Sequence, residues 1–238
     1  TISQPGSYYL TGNLSVNSEI DGITVQADDV TIDLNGFELN GNGWGFGAVT
    51  EGAASPPRRN WRIYNGSIVE WGWALYGPSV SKGQNDHVNA SGIRTSGPQL
   101  GAGARVSDCS VEGSGTPDGG ITTGSGSRVE SCSTRGFDIG MYVGLQSTVA
   151  RCNVAGRIGV RAAGSTIESC VIVATDWGIF TDSDTTNAIL GNQIDMTGAI
   201  SPSSCGIVSP GVGIYRFGNA IDGNRVTNSP HGVCLISN

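Results

Sequence analysis

Arg105-Val-Ser-Asp-Cys-Ser-Val111, Arg128-Val-Glu-Ser-Cys-Ser-Thr134, Thr148-Val-Ala-Arg-Cys-Asn-Val154 and Thr166-Ile-Glu-Ser-Cys-Val-Ile172 are one phrase written four times without a gap. Each runs into a second phrase: Asp118-Gly-Gly-Ile121, Asp138-Ile-Gly-Met141, Arg157-Ile-Gly-Val160 and Asp176-Trp-Gly-Ile179. Self-similarity at a period of roughly 20 residues is the signature of a solenoid, in which each repeat packs only on its neighbours.

The phrase extends outward in both directions. Upstream it reads as Val30-Thr-Ile-Asp-Leu-Asn-Gly-Phe37, Arg62-Ile-Tyr-Asn-Gly-Ser-Ile68 and Val88-Asn-Ala-Ser-Gly-Ile93. Downstream it reads as Ile189-Leu-Gly-Asn-Gln-Ile194 and Ile221-Asp-Gly-Asn-Arg-Val226. Residues 1–19 form a leading segment that closes the first coil, while 40–60, with Ser55-Pro-Pro-Arg-Arg-Asn60, and 77–86 read as loop insertions. No stretch has a helical period, and β-branched residues and turn formers dominate. The expectation is a single all-β domain over 1–238, with about nine to ten coils of roughly 20 residues and three short strands per coil.

The phrase Ile/Val-x-x-Asn/Cys-x-Val/Ile followed by Gly-Ile resembles the repeat of the right-handed parallel β-helix superfamily, the pectate-lyase-like proteins. The resemblance covers the chain outside the leading segment and the two insertions. It implies the fold and leaves activity open, because that superfamily includes lyases, hydrolases, epimerases, phage tail spikes, adhesins and surface proteins.

Stacked coils turn each repeat position into a column. Val106, Val129, Val149, Ile167, Ile189 and Ile221 form one inward column, and Val111, Thr134, Val154, Ile172, Ile194 and Val226 a second. The turn column reads Asn35, Gly66, Ser91, Cys109, Cys132, Cys152, Cys170, Asn192 and Asn224. Its asparagines can satisfy backbone groups that a tight turn leaves unpaired. Its cysteines fill the same space either as packed thiols or as the pairs Cys109–Cys132 and Cys152–Cys170, since neighbouring coils are about 4.8 Å apart.

The outward column ahead of the Gly-Ile strand reads Glu70, Asp118, Asp138, Arg157, Asp176 and Ser204, with Tyr142, Arg161, Phe180 and Trp177 on the same face. In an enzyme, Asp118, Asp138, Arg157 and Asp176 are the catalytic candidates, because paired carboxylates divide acid and base roles in glycoside hydrolysis. Without catalysis, Tyr142, Arg161, Phe180, Trp177 and Glu70 make a carbohydrate-binding face, and Arg157 serves to neutralise its aspartates. A uronic-acid lyase needs a base beside a cation, and Lys82, His87 and His231 are scattered along the chain. Asp118 with Asp138 is the one neighbouring pair for calcium; no other metal and no cofactor is expected.

Net charge is −7, with Lys82 as the single lysine, so neither nucleic acid nor membrane insertion is expected. A chain opening at Thr1 without a signal peptide reads as processed and secreted, extracellular or at a cell surface. The sequons at Asn13, Asn65 and Asn89 are short patterns that often occur by chance and carry no weight in this reading. The leading functional expectation is a structural or surface protein that assembles head-to-tail with itself into a filament or surface layer. It rests on the apolar last coil, with Val233, Leu235 and Ile236 as assembly residues. A carbohydrate-active enzyme or polysaccharide-binding module is the alternative, and a trimeric adhesin or spike fragment the third reading.

Overall fold

A computed structural model describes residues 1–52, 56–115, 117–182, 186–198, 201, 203–210 and 220–236. They form an all-β parallel solenoid of about nine turns, each of about 22 residues, with no helix among the described residues. Every strand pairing is parallel and joins one coil to the next.

Register follows the repeat. Val106 stands over Val129, Val149, Ile167, Ile189 and Ile221, and Val111 over Thr134, Val154, Ile172, Ile194 and Val226. These columns are buried except in the last coil, where Ile221 and Val226 are partly exposed. In three central coils the second and third strands fuse into single bent strands, Ser133–Val143, Asn153–Ala162 and Val171–Thr181, bent by local register shifts.

The turn between the first two strands uses one left-handed residue, Asp108, Ser131, Arg151, Ser169, Gly191 or Gly223, directly before the inward Cys or Asn. From Asn192 onward the asparagines pair as expected. Cys170 N–H donates to Asn192 Oδ1 at 2.9 Å, and Asn192 N–H to Asn224 Oδ1 at 2.9 Å. Cys109, Cys132, Cys152 and Cys170 are buried free thiols, so the packed-thiol reading holds and the alternative pairs Cys109–Cys132 and Cys152–Cys170 do not form. Contact with the neighbouring thiol, and then burial, pushes the Cys152 thiol up to about 12 and raises those of Cys132 and Cys170 as well. A disulfide instead joins Cys205 to Cys234 in the last two described coils.

Two members of the expected turn column are displaced. Asp33 stands over Tyr64 and Glu38 over Ser67, so two extra residues bulge between them, and Asn35 is exposed in a left-handed turn while Leu34 fills the interior. Gly66 stands over Val88, and Ser91 belongs three residues further along, opposite Val69. A second ladder runs beside the first: Ala104 N–H donates to Ser127 Oγ, Ser127 N–H to Ser147 Oγ, Ser147 N–H to Ser165 Oγ, and Ser165 N–H to Asn187 Oδ1, all at 3.0–3.1 Å.

Both expected loops carry structure. Gly47–Glu51, inside 40–60, is a strand between Ile23–Val25 and Trp73–Gly77, with Ala48 and Val49 buried. Gln84–Ile93 begins inside 77–86, where Val80 is also buried. The leading segment forms a coil of its own: Gly6–Tyr9 pairs with Val30–Asp33, and Leu14–Ser15 with Leu39–Asn40.

Candidate functional site

The third strand of each coil builds one long face, and a glycine stack sets the close approach of its coils. Gly120, Gly140, Gly159, Gly178 and Gly206 occupy one position in successive coils. A Cβ on Gly159 would lie 2.4 Å from Gly178 O and 2.3 Å from Ile172 Cγ2, so any side chain there forces the backbone to move. The Gly of the repeated Gly-Ile phrase is therefore a requirement of coil spacing, and the residues flanking it are presented in strict register.

Asp118, Asp138, Arg157, Asp176 and Ser204 do form one column, each directly ahead of the paired residues Gly119, Ile139, Ile158, Trp177 and Cys205. Glu70 does not belong to it. Trp73 stands over Ser96 and Ser96 over Gly119, which puts Gly72 and Thr95 in the column and Glu70 two residues upstream in an exposed left-handed turn.

Arg157 grips both oxygens of Asp138, at 2.7 and 3.0 Å, and reaches Asp176 Oδ2 at 2.7 Å. The hydrogen bonds to Arg157 hold the Asp138 carboxyl below the usual range, and those to Asp138 and Asp176 raise Arg157. A general acid needs the opposite, a carboxyl kept protonated near neutral pH. With Asp138 engaged on both oxygens, the Asp118/Asp138 pair is also poorly arranged for calcium.

Four positions beyond Asp138, Arg157 and Asp176, the residues Tyr142, Arg161 and Phe180 stand in successive coils. The Arg161 guanidinium lies 5.3 Å from the Tyr142 ring centroid and 5.7 Å from that of Phe180, and it donates to Asp182 Oδ1 at 3.0 Å. Trp177 stacks on Phe180 at 4.9 Å. The same column continues upstream through Thr122, Gln99 and Tyr76, residues that sequence columns alone did not bring to the site. Trp73 and Tyr76 pack at 5.4 Å, repeating the i, i+3 spacing of Trp177 and Phe180, and that shared spacing is the signal in the sequence that could have found them.

Between Trp73 with Tyr76 on one side and Tyr142 with Arg161 on the other lies an open cleft of about 370 Å³, with Ser96, Gly119 and Thr122 as its floor and Gln99 and Asp118 among its polar groups. Small floor residues between aromatic walls make the depression. Elsewhere, Asp86, His87 and Asp108 bring ligand atoms within 4.8 Å of one another, but Asp86 already accepts from Ser107 at 2.8 Å, meets His87 at 2.9 Å and pairs with Arg62 at 3.5 Å.

Of the expected assembly residues, Val233 is 48% exposed on the strand His231–Ile236, which pairs with Cys205–Pro210 on one side. Leu235 and Ile236 lie on the same strand, opposite Ser209 and Pro210. No protein family, curated protein or solved structure matches this chain in sequence or structure comparison.

Proposed function

We propose that this solenoid is a carbohydrate-binding protein of the right-handed pectate-lyase-like type, and that its third face holds a neutral polysaccharide without cleaving it. The observation that carries the reading is the 370 Å³ cleft walled by Trp73, Tyr76 and Tyr142 and furnished with Gln99 and Thr122. Sugar rings present apolar faces that stack on aromatics and hydroxyls that pair with amides and hydroxyls. A neutral ligand is favoured because Asp118 lines the cleft, Arg161 is engaged by Asp182, and the chain carries a net charge of −7. Binding is favoured over hydrolysis because Asp138 and Asp176 are tied to Arg157.

Affinity electrophoresis against neutral and acidic polysaccharides tests this. Trp73→Ala and Tyr142→Ala are each expected to weaken retention by a neutral glycan about tenfold, with no reducing ends released by the wild type. Equal retention by the variants, or release of reducing ends that Asp138→Asn abolishes, would overturn it. The Cys205–Cys234 disulfide supports an oxidising, extracellular location.

Head-to-tail self-association is the second reading, supported by the half-exposed Val233 on the last described strand. Sedimentation velocity over a wide concentration range checks it, with growth into long polymers as the expected result and a concentration-independent monomer as the result that excludes it.

A further inference from the structure

Beside the carbohydrate cleft, and sharing Trp73 and Tyr76 with it, lies a larger depression of about 620 Å³ at the first coils. Its wall is aromatic: Phe46, 51% exposed, with Trp73 and Tyr76. Its rim is acidic: Glu19, Asp21 and Glu51. Among the described residues lining it there is no basic group, in contrast to the neighbouring cleft with its Arg161. The backbone sets this arrangement. Phe46 N–H donates to Ile20 O and Trp73 N–H to Phe46 O, so the acidic segment, Phe46 and Trp73 lie on consecutive coils.

We propose that this depression binds an organic ammonium group. An alkylated or ring-borne ammonium is attracted electrostatically to the negative faces of aromatic rings, and unlike a hydrated metal ion it gains from apolar contact with them. Three carboxylates at the rim then supply long-range attraction and make the preference for a cation unambiguous in sign. Trp73 and Tyr76 meet at an interplanar angle of 56°, which gives a corner that can contact a tetrahedral ammonium on two sides, and Phe46 adds a third ring to the lining. A simple metal ion is disfavoured, because Asp21 accepts from Thr50 at 2.8 Å, Glu51 accepts from Ser79, and Glu19, Asp21 and Glu51 do not bring their ligand atoms together as a metal cluster would. The inference does not rest on polysaccharide binding in the neighbouring cleft.

Calorimetric titration of the full chain with tetramethylammonium chloride, against neopentyl alcohol as the neutral analogue of similar shape, tests it. Saturable binding of tetramethylammonium, at least about tenfold tighter than the alcohol, is expected. Phe46→Ala should weaken it about threefold to thirtyfold, and Glu19→Gln by about twofold to fivefold in low salt. Both side chains are exposed, so the fold survives, which circular dichroism verifies. Tyr142→Ala, at the far wall of the other cleft, should leave ammonium binding unchanged while weakening glycan retention. Titration with protonated glucosamine and with N-acetylglucosamine separates the sources of the group: tighter binding of the amine assigns it to an amino sugar, and binding of tetramethylammonium alone to a methylated amine. No saturable binding of tetramethylammonium, equal binding of the neutral alcohol, or an unchanged affinity in Phe46→Ala would overturn the proposal.

Discussion

The coils between Arg105 and Asp182 and those between Ile20 and Ala104 are built on one plan but filled differently. The later coils are packed by repetition: small equivalent residues such as the Cys109–Cys170 thiols, the Ser127–Ser165 hydroxyls and the glycine stack recur at each level. In the earlier coils large single side chains take their place. Trp61 and Trp71 are both essentially buried, donating to Ala27 O and Leu39 O at 2.9 Å, and Trp71 lies so close to Gly45 that a Cβ there would be 2.4 Å from the ring. A coil of constant length has a constant cross-section and accepts identical fillers. Where insertions widen it, one large residue must occupy the added space. The candidate cleft spans the two modes of packing, with Trp73 and Tyr76 on the earlier coils and Tyr142 on the later ones.

The sharpest way to break this comparison is to remove a filler that has no neighbour of its kind. Trp71→Ala is expected to cost about 3–5 kcal/mol in urea denaturation, because the space is too large for the adjacent glycines to fill and Leu39 O loses its donor. A loss under 1 kcal/mol would mean that the early coils collapse as readily as the late ones. The repetitive half is tested by adding volume. Gly159→Ala should cost about 1–3 kcal/mol, since the new Cβ meets backbone in the next coil, whereas Gly232→Ala, whose Cβ would meet nothing within 4 Å, should change stability by less than about 0.5 kcal/mol. Equal effects would remove coil stacking as the reason for the glycine.

The smallest effect is expected at the surface column. Arg157→Ala should cost a few tenths to about 1 kcal/mol, because the pairs are substantially exposed and screened. The pH dependence has a definite sign. The folded Asp138 carboxyl sits below its unfolded value of about 3.9, so its contribution is present above that pH and is lost as pH falls through the folded value. In Arg157→Ala the acid limb of the stability profile should therefore flatten, with the loss of a few tenths to about 1 kcal/mol present near pH 7 and vanishing at low pH. An unchanged acid limb would show that Arg157 does not set the titration of Asp138.

Much of this was legible in the order of residues. The inward Val/Ile columns and the column of Asp118, Asp138, Arg157 and Asp176 stand in register as their spacing implies, because a parallel strand pair preserves side-chain order from coil to coil. Asn35 was misplaced because two bulged residues between strands alter the count without altering the pattern, and a surface turn tolerates them at little cost. Ser91 and Glu70 were misplaced because their look-alike phrases lie out of the register set by Gly66 over Val88 and Trp73 over Ser96. The Cys205–Cys234 bridge could not be read from columns at all. Cys205 stands over His231, and Cys234 over Val208, so the bonded pair is three positions out of register.

By itself the sequence determined that this chain is a stack of equivalent parallel coils, since only such a stack gives the same apolar and turn residues the same surroundings every 20 residues or so. Tertiary structure alone decided which outward residues meet. Trp73 and Tyr142 are 69 positions apart by their numbers and share a cleft because three coils are traversed between their levels. The depth of that cleft depends on Ser96 and Gly119 being small at intermediate levels. No local pattern encodes such a juxtaposition, because it depends on the summed lengths of every intervening turn and insertion.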